Sequence, residues 1–285
     1  MKINTITPDS HPYLTPLTAL AKVPSSIYYR GNLPEKRIPS VAVVGTRKPT
    51  RYGQEVAATF AADLAKRGVI IISGLALGTD AIAHRACLDA GGTTVAVLAG
   101  SVDRISPQTN RALGEAIIRQ GGAVLSEYEP PTSPRDFQFL ARNRIVSGLS
   151  DAILITEAAA RSGTLSTAAR ALEQGKEVFV VPGNITSQMS AGCNNLLKQG
   201  AHAALCADDI LEVIAPELLR PQAALPLGNT PLETKILSLI QSGTRDGDAI
   251  HQQTGVAITE FNHALTMLEL AGTIRGLGAN QWTIK

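Results

Sequence analysis

The sequence predicts an α/β protein: a Rossmann-like, doubly wound and mostly parallel sheet, followed by a small C-terminal winged-helix domain. Three observations predict this fold. Between residues 41 and 181, apolar runs of strand length alternate with helical patterns. The runs are apolar throughout, which is typical of parallel strands covered by helices on both faces. After residue 231, three helical patterns and a glycine-rich end follow one another.

The strands of the sheet are predicted in chain order as VAVVG, VIIISG, TTVAVLAG, AVLSE, DAILITE and EVFVVPG. Helical patterns cover residues 54–67, 81–90, 108–119 and 165–174. Residues 13–34 predict a short helix, a turn and a strand, which we interpret as an edge added to the sheet. The functional residues of such a sheet are expected at the carboxyl ends of its strands.

Four segments follow from these patterns. Residues 1–40 form an N-terminal extension packed on the core, and residues 41–215 form the extended Rossmann-like domain. Residues 216–230 contain proline without periodicity, which predicts a linker. Residues 231–285 form the winged-helix domain, with helices predicted at 232–241, 248–254 and 259–271 before a hairpin.

Composition excludes several classes of protein. Of 285 residues, 44% are hydrophobic and 18% charged, which is typical of a globular chain. No apolar run reaches the roughly 18 residues of a membrane span, and residues 1–14 lack the apolar core of a signal peptide. We therefore expect a cytoplasmic protein without a membrane segment. The three cysteines are far apart and form no C-x-x-C pair, so neither disulfides nor a zinc site are indicated.

Net charge gives little support to nucleic-acid binding by itself, because +2 is small for a protein that holds DNA electrostatically. The winged-helix domain is even less basic, with four Lys or Arg against five Asp or Glu from residue 231 onward. Its third helix carries two acids and neither Lys nor Arg, which opposes contact with a phosphate backbone. Protein contact or stabilisation is the expected role of this domain.

The loop after the first core strand is the first candidate site. It matches neither G-x-G-x-x-G nor a Walker A loop, and it offers Gly45, Thr46, Arg47, Lys48 and Arg51. Hydroxyls, backbone amides and guanidiniums at a helix start bind several phosphates of a strand as well as they bind one pyrophosphate. The alternative is a solvated loop beside a sheet.

The loop after the next strand, SGLALGTDAIAH, turns at Gly74 and Gly78. Asp80 and His84 lie one helical turn apart and are candidates for a base and the group that orients it. A helix cap and a packed histidine are the alternative interpretation.

Two further segments carry candidate residues at the carboxyl edge of the predicted sheet. FLARNRIVSGLSD places Arg142 and Arg144 on either side of Asn143 near the start of a helix, and Phe137 and Phe139 before them can stack on a base or pack in the core. In the segment of residues 157–175, Ser162, Gly163 and Thr164 open another helix, where they predict an anion site or a simple cap.

Together these motifs resemble the DNA-processing protein A family of bacteria, also called DprA or Smf. VAVVGTRKPTRYG, SGLALGTDAIAH, FLARNRIVSGLS, SGTLSTAARALEQGKEVFVVPGN and SAGCNNLLKQGAH occur in the family's order, over residues 13–214. The resemblance implies a domain that binds single-stranded DNA in a basic pocket, forms a homodimer, and delivers the strand to the RecA recombinase during natural transformation. It implies no catalysis, no cofactor and no metal.

The resemblance assigns particular residues. Arg47 matches the family's G-[ST]-R loop, residues 162–164 match its SG[ST] turn, and Arg142 with Asn143 matches its RNR helix. The family's Y-P-[KR]-x-N loop departs here: Ser106 replaces the aromatic residue and Gln108 stands where a DNA-contacting lysine is common. The predicted nucleic-acid-binding residues are Gly45, Thr46, Arg47, Lys48, Arg51, Gly74, Gln108, Asn110, Arg111, Phe139, Arg142, Asn143, Ser162, Gly163 and Thr164.

Two other functions remain open at this point. A nucleotide phosphoribohydrolase-like Rossmann enzyme has a similar order of motifs, but Thr167 stands where its catalytic glutamate would be. The second alternative function is that of an adaptor that binds only other proteins, in which the basic loops have no role in binding. The homodimer implied by the resemblance is expected to use residues 194–213, where Leu196, Leu197, Ile210 and Leu211 are candidates for the contact or for the core.

Overall fold

The computed structural model describes residues 2–219 and 228–284. The chain divides into two compact units, Met1–Leu219 and Arg220–Lys285. None of the described helices is long and apolar enough to cross a membrane.

The first unit is built on a nine-stranded sheet. Its strands, as far as the structure describes them, are β1 Asn4–Ile6, β2 Ile27–Gly31, β3 Ser40–Val44, β4 Ile70–Ser73, β5 Thr94–Val97, β6 Ala123–Ser126, β7 Ala152–Ile155, β8 Glu177–Val180 and β9 His202–Ala203. They lie in the order β1-β2-β6-β5-β4-β3-β7-β8-β9, and all pairs from β6 to β9 are parallel. The predicted Rossmann-like fold is confirmed.

The helices of this unit are α1 Arg51–Lys66, α2 Thr79–Asp89, α3 Arg111–Arg119, α4 Asp136–Leu149, α5 Gly163–Glu173, α6 Ala191–Lys198 and α7 Ala207–Ile214. Short 3-10 helices occur at Pro8–Ser10, Thr15–Ala19, Gln108–Asn110, Gln188–Ser190 and Pro216–Leu218. Helix α1 begins three residues earlier than predicted, because the Thr50 hydroxyl accepts a hydrogen bond from Gly53 N and caps the helix at that point.

The direction of strand succession reverses at β3. From β3 the chain proceeds through β4, β5 and β6 on one side, and β7, β8 and β9 lie on the other. Ligands of doubly wound sheets bind in the crevice that such a reversal opens at the strands' carboxyl ends. The loops that follow β3 and β7 therefore flank this crevice.

Both faces of the sheet are buried, as the apolar strands predict. In β3, Ala42 and Val44 belong to one core, with α4 and α5, whereas Val41 and Val43 belong to the other, with α1 and α2. Ile210 and Leu211 of α7 are fully buried in the second core. The prediction that these two residues form a dimer contact is therefore wrong, and the alternative that they belong to the core is correct.

The N-terminal segment is the added edge that the sequence predicts. Strand β2 pairs antiparallel with β6 and carries β1 on its outer side. Leu17 is fully buried against α4, where a Cβ on Gly148 would lie 3.0 Å from Leu20 and 3.1 Å from Leu17. A glycine in the last turn of α4 thus gives the segment room to pack.

The second unit has the predicted three helices and hairpin: α8 Pro231–Gln241, α9 Gly247–Thr254, α10 Ile258–Leu270, β10 Ile274–Gly278 and β11 Gln281–Ile284. The two strands pair antiparallel. A separate apolar core, which includes Ile236, Ile250, Phe261 and Leu265, holds the unit together. Residues 220–227 of the predicted linker lie outside the described residues.

Replacing Leu17 with alanine tests the packing of the N-terminal segment. Leu17→Ala leaves a cavity between this segment and α4, so the free energy of unfolding is expected to fall by about 2–5 kcal/mol in urea titrations. Val23→Ala, at a residue 46% exposed, is the control and is expected to cost less than about 1 kcal/mol. Equal losses in the two variants would show that the segment does not stabilise the core.

Candidate nucleic-acid interface

A cleft of about 460 Å³ lies at the carboxyl ends of β3, β4 and β7, with α4 as one wall. Hereafter it is called the cleft. Ten of the fifteen predicted residues line it, namely Gly45, Thr46, Arg47, Gly74, Phe139, Arg142, Asn143, Ser162, Gly163 and Thr164. The other five, Lys48, Arg51, Gln108, Asn110 and Arg111, do not. The sequence motifs therefore converge on one concavity at the reversal point of the sheet.

Backbone hydrogen bonds to two other segments hold the loop after β3 in place. Thr46 N donates to Glu157 O at 2.9 Å, and Thr46 O accepts from Thr79 N at 3.2 Å. A Cβ at Gly45 would lie 2.5 Å from Thr79 Oγ1, so only glycine fits between these neighbours. The loop is thereby fixed in place while Arg47 remains exposed.

The Glu157 carboxylate lies at the start of α1, where it takes up the Thr50 amide that the loop was expected to offer to phosphate. Its carboxylate is buried and accepts from Thr50 N at 2.8 Å and from Thr50 Oγ1 at 2.7 Å. The protein's own anion thus takes the position that a phosphate takes in nucleotide-binding loops. Side chains, Arg47 above all, are left to bind phosphate here. The sequence signal was a carboxylate directly after a buried strand.

Arg142 is 5% exposed and ties α4 to the sheet. Its Nη1 donates to Gly74 O at 2.7 Å and also to Val97 O. Burial lowers the pKa of Arg142, while the neighbouring Asp80 carboxylate opposes this shift. Arg142 therefore lines the cleft as a positioning residue, whose Nη1 is engaged with two backbone carbonyl groups and whose Nε donates to Asn143 Oδ1 at 3.3 Å.

Asp80 and His84 do not form the base and orienter considered from the sequence. Asp80 Oδ2 accepts from Gly74 N at 3.0 Å and Ala76 N at 3.3 Å, and burial raises the pKa of Asp80. His84 Nδ1 instead lies 2.6 Å from Thr94 Oγ1, inside the core. Burial lowers the pKa of His84 to about 3. The packed-histidine interpretation fits His84, whereas Asp80 lies in the first turn of α2 and bonds the preceding loop instead of capping the helix, whose N-cap is Gly78.

The start of α5 is open to the cleft. Ser162 Oγ accepts from Thr164 N at 3.2 Å and caps the helix, and Leu165 N donates to Ser162 O at 3.1 Å. Neither bond uses the N–H of Gly163, which is exposed at the first helical position. The first-turn amides of a helix attract anions. Among the described residues no carboxylate is bonded at this end of α5, in contrast to Glu157 at the start of α1, so the first amide of α5 stays available to an anion.

The Arg47 guanidinium carbon lies over the Phe139 ring, 5.4 Å from the ring centroid, so the two side chains form a cation–π contact at the cleft. Arg161, which sequence reasoning missed, is exposed and adds a further cation directly before the SGT turn. Among the described lining residues, the charged side chains are these two arginines, Arg142 and Asp80. Three cations against one carboxylate, beside an aromatic ring, favour a ligand with both phosphates and bases.

In the loop that carries Gln108, Asn110 has a different role from the predicted one. Asn110 is buried, and its Nδ2 donates to Leu75 O at 2.9 Å and to Ala76 O at 3.0 Å. It holds the loop after β4 in place, which corrects its assignment as a direct nucleic-acid contact. Gln108 and Arg111 are exposed outside the cleft, as are Lys48 and Arg51.

The fold and the cleft define a Rossmann-like protein with a cationic crevice and a separate winged-helix unit. Residues 4–215 match the family of DNA recombination-mediator protein A, and residues 220–280 match the DprA winged helix domain. The chain belongs to this family of DNA-processing proteins, which confirms the resemblance seen in its motifs.

Several relatives support this assignment. The chain is 37% identical to Protein Smf of Escherichia coli (strain K12) over 280 residues, which cover 93% of the chain and 73% of that protein. The X-ray structure of DNA processing protein A from Streptococcus pneumoniae is similar with a TM-score of 0.69 and 37% identity, over 75% of each chain. The structure of DNA processing protein A from Helicobacter pylori, a protein described as binding single-stranded DNA, matches with a TM-score of 0.67 and 33% identity, over 76% of this chain and 97% of that protein chain.

The buried imidazole of His84 predicts a pH dependence of stability. Its pKa is about 3 in the folded protein against 6.5 ordinarily, so below pH 6.5 the unfolded chain binds a proton that the folded chain excludes. The associated stability is complete above pH 6.5 and is lost as the pH falls. His84→Gln loses the bond to Thr94, so it is less stable than the wild type at pH 7.5, but we expect this difference to shrink by about 1 kcal/mol at pH 5.5.

Urea titrations at the two pH values measure this difference. The exposed His263→Gln is the matched control and is expected to keep the pH dependence of the wild type. A wild type and a His84→Gln variant that lose stability in parallel would contradict the assignment of a neutral, buried His84.

Proposed function

We propose that the protein binds single-stranded DNA in the cleft and, as a recombination mediator, protects incoming DNA and loads the RecA recombinase onto it during natural transformation. One observation carries the DNA-binding part: Arg47, Arg161 and the start of α5 surround Phe139 in a single crevice. Phosphates bind to the cations and the helix start, while a base stacks on the ring. The family and the Helicobacter pylori relative support the same ligand.

A single strand suits this cleft better than a duplex. Phe139 can stack only on a base whose face is uncovered, and in a duplex both faces are covered by neighbouring bases. The cleft offers mainly charged groups, which bind phosphates, and an aromatic ring, which stacks on any base. We therefore expect little preference for DNA sequence. The single-strand ligand thus follows from the combination of an aromatic ring with cations inside a concavity.

The exposed residues outside the cleft fit the adjoining path of the strand. Lys48 and Arg51 follow Arg47 along the same loop and helix start, and Arg111 begins α3. We propose that they attract phosphates beyond the cleft. Gln108 adds no charge to this path. We therefore expect the slope of log affinity against log salt to be lower than it would be with a lysine at this position, by about one unit or less.

The winged-helix unit is proposed to contact protein or to stabilise the chain. Helix α10 occupies the place of a recognition helix, and it carries Glu260 and Glu269 without a Lys or Arg. Carboxylates on this helix repel the phosphates that flank a DNA groove. The single-strand cleft is therefore the proposed DNA site of the protein.

The partners belong to the same proposal. We propose homodimer formation, contact with RecA and a cytoplasmic location on the basis of the family and the composition. Within the proposed dimer segment of residues 194–213, Leu205 and Val213 are exposed, so they remain candidates for the contact after Ile210 and Leu211 are assigned to the core. Light scattering of the wild type and Leu205→Asp tests the dimer.

The phosphoribohydrolase-like alternative has less support. Thr167 is buried at the place of the catalytic glutamate, and a hydroxyl cannot activate water as a carboxylate does. Asp80 lines the cleft but accepts two backbone hydrogen bonds next to Arg142. Incubation with nucleoside monophosphates tests this alternative, which predicts release of free base.

Arg47→Ala tests the proposed site directly. Loss of one phosphate contact is expected to weaken binding of labelled oligo-dT and to lower the slope of log affinity against log salt by about 0.7. Fluorescence anisotropy at several salt concentrations measures both. Arg119→Ala, at an exposed arginine at the far end of α3, is the matched control and should bind as the wild type does.

Two results would contradict the proposal. One is equal binding by Arg47→Ala and the wild type at every salt concentration, and the other is preferential binding of a duplex over single strands of random sequence.

A further inference from the structure

A second concavity lies on the other side of α4. This groove has a volume of about 570 Å³ and runs between α4, α5 and residues 19–22, which end and follow the 3-10 helix Thr15–Ala19. Its most exposed lining residues on α4 are apolar, with Phe137 62% and Leu140 55% exposed. Large apolar side chains at such exposure on one edge of a groove indicate a surface that binds something. Hereafter we call it the α4 groove.

Helix α4 presents the same chemistry to both concavities. Phe139 and Arg142 are three residues apart and face the cleft. Phe137 and Arg144 are seven residues apart, also lie on one helical face, and line the α4 groove. Leu140 lines both. The segment FQFLARNR thus gives each side of the helix one aromatic residue and one arginine.

We propose that the α4 groove is a second subsite for the same nucleic-acid strand, which crosses the first turn of α4 at Leu140 and stacks a further base on Phe137. This inference rests on the proposed binding of single-stranded DNA in the cleft. It extends that site by an unpaired nucleotide on the opposite face of α4. Continuity through Leu140 favours the strand over an unrelated protein partner.

Charge in the groove fits this occupant. Within the groove lining, Arg170 forms an ion pair with Glu173 at 2.7 Å. Arg144 also lines the groove, and its ion-pair partner Glu127 does not. Lys22 is exposed at the groove and forms no ion pair within residues 2–219 and 228–284. It is therefore a cation available to a phosphate that follows the stacked base.

Polar atoms of the groove residues also lack partners. Gln174 Nε2 donates to Arg144 O at 3.1 Å, while Gln174 Oε1 and Arg144 Nη1 are buried without a hydrogen-bond partner in the described part of the chain. Unpaired buried polar groups cost free energy. A nucleobase edge carries N–H donors, so a small rotation of the Gln174 amide would let a bound base satisfy its Oε1. The Glu127 carboxylate that pairs with Arg144 also has an unpartnered buried Oε1, so Arg144 Nη1 does not itself require a ligand.

Two lengths of oligo-dT separate this subsite from the cleft. A strand of about 4 nucleotides fills the cleft alone, whereas one of about 16 also reaches the groove. Phe137→Ala is expected to weaken binding of the long strand roughly tenfold and to leave the short strand unchanged. Lys22→Gln is expected to lower the salt slope by about 0.7 for the long strand only. Leu172→Ala, an exposed apolar residue of α5 outside the groove lining, is the control and should change neither affinity.

Each alternative result overturns the subsite. If Phe137→Ala binds both strands as the wild type does while Arg47→Ala weakens both, the cleft stands and the groove is not occupied. Equal weakening of both strands by Phe137→Ala, or the same loss with Leu172→Ala, would show an effect on the fold instead of a subsite. If Arg47→Ala changes neither affinity, the proposed cleft fails and the groove fails with it.

Discussion

The cleft depends on the buried guanidinium of Arg142. This side chain joins α4 to the carbonyl groups of Gly74 and Val97, at the carboxyl ends of two neighbouring strands. Asp80 lies beside it and accepts hydrogen bonds from the turn that contains Gly74. A buried charge is tolerated only when it is paired and hydrogen bonded, so the helix, the turn and the strand ends have one compatible arrangement. Phe139, on the same helix, is thereby held in contact with Arg47.

A second buried charge has a comparable role on the other side of the reversal point. Glu157 closes the start of α1 and fixes the loop that carries Arg47. The two charged groups that position the walls of the cleft, on Arg142 and Glu157, are therefore buried, whereas Arg47 and Arg161 are exposed. An occupied helix start at α1 and an open one at α5 distinguish this crevice from a mononucleotide site, in which the amides of the first loop bind the phosphate.

The sequence predicted the sheet and the winged helix well because both depend on hydrophobic periodicity. Convergence of the motifs was predictable too, since parallel strands bring their ends to one edge. Asn110 was misassigned because a buried amide that bonds two carbonyl groups has the same one-letter pattern as one that faces DNA. The roles of Glu157 and Arg142 depend on contacts between distant segments, and the periodicity of a single strand or helix does not contain them. Helices α6 and α7 are short, at eight residues each, and were not predicted.

The most direct test of this account is a structure of the protein bound to an oligothymidylate. We expect phosphate oxygens within hydrogen-bond distance of Arg47, Arg161 and the N–H of Gly163, with a base against Phe139. A strand bound on the winged-helix unit, with no nucleotide in the cleft, would contradict the central claim.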